Sequence, residues 1–292
     1  MFIRSTYSSR LNFLSRQTSK VTNELSQVNE QAATGKQINR LSDAPFKGSL
    51  LHNLRHAISE QKEYQRAANS SVSLQYSIEN ALSTAENLLV NAREFAVQFS
   101  NDTYNADQLQ LGISEIDTIL EEMHGLANTQ YMDRYVFSGT GYDIQPFDST
   151  YAYQASADLM QDHVSPITEV VTGMVGSEVF QGNVDIFQTL QDLSTALSNG
   201  DNDGVRNSLD GLSAGIDQIS ESRATIGTNM RLATDMLDIS VGLEEQFSIE
   251  LSNTEDADMA EVLRRFTEVQ AQYDINIQLT SSNRTLNLFQ RM

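Results

Sequence analysis

The chain has 292 residues, of which 39% are apolar, and carries a formal net charge of −20 with no cysteine; its mean hydropathy is −0.36. Without cysteine there is no disulfide, thiolate metal site or cysteine nucleophile. Charge is uneven: residues 1–66 hold ten Lys/Arg against five Asp/Glu, residues 263–292 hold four against two, and no lysine follows Lys62, so the acidic middle offers no basic groove for nucleic acid.

No apolar stretch approaches the roughly 20 residues needed to span a bilayer, and Arg4 follows Met1-Phe2-Ile3 where a signal peptide would place its apolar region. Neither a membrane nor a nucleic acid is therefore expected as a partner. Three prolines, no tryptophan and few early glycines favour long helices.

In chain order, the first predicted element is a helix with Leu11, Leu14, Val21, Leu25, Val28 and Ala32 on one seam, Thr18 filling the remaining place. "TGKQINRLSDAP" (Thr34–Pro45) interrupts it, with Gly35, Asn39, Asp43 and Pro45 as the residues of a joint. We assign residues 1–45 to an N-terminal helix and joint. A second helix should run from Ser49 to Phe99, about 75 Å at 1.5 Å per residue. Its seam is Ile78, Leu82, Ala85, Leu89, Ala92, Ala96 and Phe99, and "SNDTYNAD" (Ser100–Asp107) ends it. A third helix carries Leu109, Ile113, Ile116, Leu120, Met123 and Ala127 on one face. Residues 46–136 thus form the N-terminal arm of a helical rod.

Residues 137–184 lose the helical period and gain Thr, Val, Gly and Pro, which reads as a small β-rich insert domain. Helical pattern returns over residues 185–251. Ile186, Leu190, Leu193 and Leu197 come first, then Val205, Leu209, Leu212, Ile216, Ile219, Ile226, Met230, Ala233 and Leu237. On that last seam Arg223 is expected to pack its stem while its head reaches water. Residues 252–292 form a C-terminal helix, for which Ser252 and Glu255 fit a capping box. Its apolar face is Met259, Leu263, Phe266, Tyr273 and Ile277, widened by Val262 and Val269. The fold class is mainly α: N- and C-terminal arms folding back on each other as a long antiparallel rod or coiled coil, with the insert between them.

Candidate chemistry is sparse. His52 and His56 stand four apart, but Asn53 occupies the place where a zinc protease needs its glutamate. Asn199–Asp210 meets part of a calcium-loop template, with Asp201, Asp203 and Gly204 in place. It departs from that template at Asn199, Arg206 and Asp210, and a turn followed by an N-cap accounts for the same residues. Glu121-Glu122 and Glu244-Glu245 diverge on helices instead of converging, and Gly139 and Gly141 lack the third glycine of a dinucleotide fingerprint. No active site, metal site or cofactor site emerges, so no enzyme is expected.

Four stretches carry a resemblance. "TGKQINRLSDAP", "LANTQYMDRYVFSGT" (Leu126–Thr140), "SESRATIGTNM" (Ser220–Met230) and "LSNTEDADMAEV" (Leu251–Val262) together resemble the flagellin family. Asp43-Ala44-Pro45, "RYVFSGT" and "MFIRST" are closer to its hook-associated branch than to filament flagellins. Leu41 and Ala44 depart from the usual Pro and Asp of the joint, and "NLFQRM" departs from the usual leucine-rich ending.

The resemblance implies a secreted structural adaptor of the bacterial flagellum, exported by the type III route to the hook–filament junction. Its partners would be other copies of the chain in a ring, the hook-side junction protein (hook-associated protein 1), flagellin, and an export chaperone at the C-terminal helix. It further implies terminal helices disordered in the monomer that order on assembly, through Leu11, Leu14, Val21, Leu25, Val28, Val262, Phe266, Val269, Tyr273 and Ile277. Gln270, Gln272, Asn276, Gln278, Asn283, Asn287 and Gln290, largely the non-seam positions of the last helix, would then either line an export channel or form a solvated face. The alternatives are a filament flagellin, a secreted hydrolase, or a type III effector or adhesin acting through the insert.

Overall fold

The computed structural model describes residues 7–40, 44–100 and 106–289. In order the elements are α1 (Tyr7–Thr34), α2 (Pro45–Phe99), α3 (Ala106–Ala127), β1 (Gln130–Tyr131), β2 (Arg134–Tyr135), β3 (Gln161–His163), β4 (Glu169–Val171), α4 (Gly176–Phe180), α5 (Ile186–Asn199), α6 (Asn202–Glu255) and α7 (Met259–Phe289). The chain is mainly helical, and the described strands form two antiparallel ladders, β1–β2 and β3–β4. Two compact units divide it: residues 60–242, and residues 1–59 with 243–292.

The unit of residues 60–242 holds a continuous core. The α2 seam from Ile78 to Phe99 is buried at every predicted position, as are Ile116, Leu120, Met123 and Ala127 of α3. α3 packs on α5, whose Ile186, Leu190, Leu193 and Leu197 are all buried, and α6 adds Val205, Leu212, Ile219 and Ile226, while Ala233 joins Ala68, Val164 and Val170 in a smaller separate cluster. Periodicity alone identified these faces because each helix here buries one stripe against several neighbours. Gly112 of α3 lets the Phe99 ring lie against the backbone, since a Cβ there would stand 2.7 Å from the ring edge.

Arg223 differs from its sequence expectation. Its head is held by two carboxylates of α2: Nε and Nη2 donate to Glu79 at 3.0 and 2.6 Å, and Nη1 donates to Glu86. Those two hydrogen-bonded carboxylates raise its already high pKa, so it is a permanent cation.

The segment expected to be β-rich holds its shape mainly by aromatic packing. Phe137, Phe147, Phe180 and Phe187 are fully buried and belong to the same core cluster as α2, α3, α5 and α6. Their rings meet mostly edge to face, 5.2 Å between Phe137 and Phe180 and 5.1 Å between Phe147 and Phe187. Polar side chains replace missing ladder bonds. Asn128 Nδ2 donates to Phe147 O while its Oδ1 accepts from Phe147 N, at 3.1 and 2.9 Å. Buried Gln218 of α6 accepts from Val184 N at 3.1 Å and donates to Val179 O at 2.9 Å. These give the irregular backbone the partners that a sheet would otherwise supply.

The second unit contains α1, the first residues of α2, the last of α6, and α7. α1 packs along α7. Among the described residues its buried side chains are Leu14, Val21, Val28 and Gln31 on α1, Ile38 in the joint, Leu51 and Leu54 on α2, Thr254 and Glu255 on α6, and Val262 and Val269 on α7.

Candidate assembly interface

α1 ends where the sequence predicts. Gly35 adopts φ 71°, the left-handed conformation that releases a helix with little steric cost only in glycine. Its N–H donates back to Gln31 O at 2.9 Å. Lys36–Arg40 is not helical, and α2 begins at Pro45, whose missing N–H costs nothing in a first turn. The other end of the chain breaks in a similar way, later than expected. α6 continues through Ser252 to Glu255, and α7 starts at Met259, with Asp258 Oδ1 accepting from Ala260 N at 2.9 Å. The Ser252–Glu255 capping box is therefore not formed: Ser252 Oγ donates to Asp256 at 2.5 Å instead.

The two breaks are bound to each other. Lys36 and Asp256 form an antiparallel bridge. Gln37 N and Ile38 N donate to Glu255 O at 2.7 and 3.3 Å, and Ala257 N donates to Gly35 O at 2.9 Å. Within this clasp the Glu255 side chain is only 3% exposed, and its Oε1 receives Lys36 Nζ at 2.6 Å and Arg55 Nη2 at 2.7 Å. Burial pushes that carboxyl upward, but the hydrogen bonds and charges of Lys36 and Arg55 outweigh it and hold the pKa below the ordinary range. Gln31 Nε2 adds a bond to Gln37 O at 3.1 Å.

From this clasp α1 arrives and α7 departs, so the packed pair is antiparallel. Leu14, Val21 and Val28 of the predicted seam are buried and Leu25 is half-buried; the Leu11 side chain lies outside those described. On α7, Val262 and Val269 are buried, with Phe266 and Tyr273 half-buried. These eight described side chains are therefore brought onto the contact faces of one helix pair. Ile277 is not: it is 44% exposed, and Leu263 and Met259 beside it are 55% and 40% exposed. The α7 face that packs is centred on Val262, Val269 and Tyr273, one step around from the face drawn through Met259, Leu263 and Ile277.

Ile275 and Leu279, four apart on the opposite side, are also exposed. Gln270, Gln272 and Gln278 face solvent and Asn276 is half-buried, while the Asn283, Asn287 and Gln290 side chains lie outside those described. Of the joint residues, Gly35 makes the turn, Asn39 donates to Lys36 O at 3.3 Å, Pro45 opens α2, and Asp43 lies outside the described residues.

Glu255 is the clasp side chain that sequence reasoning missed. Its signal was present: Phe247, Leu251 and Glu255 follow one another at steps of four on α6, so the carboxylate lies on a continuing seam. A capping-box reading obscured it.

No group of three His, Cys, Asp or Glu able to hold a metal occurs among the described residues. Residues 199–210 end α5 and begin α6: Gly200 is the left-handed C-cap of α5 and Asp201 Oδ1 accepts from Gly204 N at 3.0 Å. His52 and His56 are exposed. No described helix is long and apolar enough to cross a membrane.

Residues 5–141 match the bacterial flagellin N-terminal helical region. Over 298 aligned positions, covering 91% of this chain and 92% of the relative, the sequence is 25% identical to flagellar hook-associated protein 3 of Salmonella typhimurium. It is 26% identical over 272 positions, 88% of each chain, to a flagellin of Bacillus subtilis. The crystal structure of Bacillus cereus FlgL superposes with a TM-score of 0.60 at 25% identity, covering 70% of this chain and 98% of that one.

Proposed function

We propose, from the match of residues 5–141 to the bacterial flagellin N-terminal helical region and from the similarity to flagellar structural proteins, that the chain is the adaptor joining hook to filament. In this reading it is exported by the flagellar type III route and assembles as a ring at the distal end of the hook. One side meets the hook-side junction protein, hook-associated protein 1, and the other meets flagellin. No step in the mechanism is catalytic.

The observation that carries the reading is the pairing of the chain's first and last helices through one narrow seam, with Leu263, Ile275, Ile277 and Leu279 left exposed on α7. A seam buried on one side only recovers little of the entropy of ordering two long helices. Neighbouring subunits would cover the exposed apolar residues and complete the recovery, so folding of α1 and α7 is coupled to assembly. Before assembly the same exposed α7 residues suit an export chaperone. Residues 1–45 and 252–292 then act as the assembly elements. Residues 46–136 and 185–251 are the arms, and residues 137–184 are the insert.

The similarity to a flagellin over 88% of the chain supports a second reading, a filament subunit. Immunogold electron microscopy of intact flagella separates the two. Label confined to a collar at the distal end of the hook is the expected result. Label along the filament establishes the second reading, as would extension of filament seeds by the purified protein alone. Absence from flagella overturns both.

A further inference from the structure

Glu255 is joined to the N-terminal joint through both its main chain and its side chain. Its carbonyl oxygen accepts from Gln37 N and Ile38 N, while its carboxylate is shared between Lys36 of the joint and Arg55 of α2. The charges are unequally placed. The carboxylate is 3% exposed, whereas the Lys36 and Arg55 side chains are 45% and 52% exposed. Each cation could return to water cheaply. The carboxylate could not, because an unpaired buried charge costs far more than a paired one gains.

We propose that Glu255 is a register latch, admitting one alignment of the N-terminal joint against the end of α6 and so setting how α1 enters its pairing with α7. The order of residues in the joint supplies the selectivity. In the observed register Lys36 meets the carboxylate and Ile38, two residues on, is buried. Sliding the joint by one residue carries Lys36 off the carboxylate and Ile38 out of its buried place. The neutral Gln37 or Gly35 then stands at Glu255. The slipped state therefore loses a cation at a buried carboxylate and exposes an apolar side chain. Buried ion pairs contribute modestly to stability against an apolar replacement, and fixing register is their best-attested use. The inference concerns the joint itself and does not depend on where the protein assembles.

Two measurements on the full-length chain test it. The first is hydrogen exchange of the cross-joint donors Gln37, Ile38 and Ala257, with Leu82 and Leu89 amides reporting that the residue 60–242 core remains folded. Lys36→Met with Arg55→Met should lower protection of all three cross-joint amides about 100-fold, because it strands the carboxylate, and Glu255→Gln should lower it about tenfold or less. Equal effects from the two changes, or unprotected joint amides in the unaltered chain, would overturn the latch.

The second uses the natural absence of cysteine. Gln37→Cys with Asp256→Cys marks the register slipped by one residue. Disulfide yield should be low when Glu255, Lys36 and Arg55 are intact. It should rise about tenfold when all three are replaced by Met, even though core protection is unchanged. Equal yield in the two backgrounds would reduce Glu255 to an ordinary stabilising contact.

Discussion

The two units of the molecule are helical for different reasons. In residues 60–242 every helix longer than one turn meets more than one neighbour, and aliphatic seams merge with a cluster of buried phenylalanines into one core. In the other unit α1 and α7 share a seam little wider than one residue, and a charged clasp stands at its end. Similar periodicity therefore belongs to a many-sided core in one place and to a single seam in the other. The difference lies in how many sides of each helix are covered, since propensity alone stabilises an isolated helix only marginally.

The sharpest test of that contrast is truncation on both sides of it. Phe180→Ala removes a fully buried ring that contacts Phe137, Phe147 and Phe187, and should cost about 3–5 kcal/mol in urea unfolding of the full chain. Val21→Ala, though 4% exposed in the α1 seam, should leave that main transition unmoved while weakening assembly. If both changes shift the main transition alike, the two units fold as one and the contrast fails.

A smaller effect is expected at Arg223. Replacing it by Met strands Glu79 and Glu86, but both are 22–27% exposed and regain some hydration. A loss of about 1–2 kcal/mol in the same urea transition is therefore expected, below the range for a fully buried pair. A neutral result would mean that the three groups are solvated ions that happen to lie together.

Gly35→Ala should be milder still and should act on the other unit. No atom stands within 4 Å of where its Cβ would go, so the cost is only that of placing an L-residue at φ 71°, about 1 kcal/mol. It should appear as faster exchange at Ala257 and along the last turn of α1, with the α2–α6 core unchanged.

The parts of this architecture that were legible in the sequence were those governed by period. The seams of α2, α3 and α5 and the break at Gly35 follow from spacing and from one conformationally special residue. What spacing could not supply was the identity of a polar residue's partner. Glu255 satisfied a local capping template as well as a distant pair of cations, and nothing local distinguishes the two. Arg223 posed the same problem. So did the α7 face, where Met259, Leu263 and Ile277 compete with Val262, Val269 and Tyr273 along one helix that is apolar on more than one side. The insert hid its core because Phe137, Phe147 and Phe180 are separated by irregular chain that has no period to read.

The subtlest expected effect is on pH, and it again divides the units. Glu255 is held below its ordinary pKa by Lys36 and Arg55 despite its burial. A carboxyl depressed on folding adds stability that is fully present above its unfolded pKa, about 4.3, and is lost as pH falls through the folded value. Exchange protection at Ala257 and Gln37, corrected for intrinsic rates, should therefore decline on acidification from neutrality to about pH 3. Glu255→Gln should remove that decline, leaving protection at its reduced but flatter level. The effect should be limited because a protonated carboxyl can still accept from Lys36 and Arg55, so titration removes charge and spares geometry. A decline that persists unchanged in Glu255→Gln would assign it to other carboxylates and leave the clasp indifferent to pH.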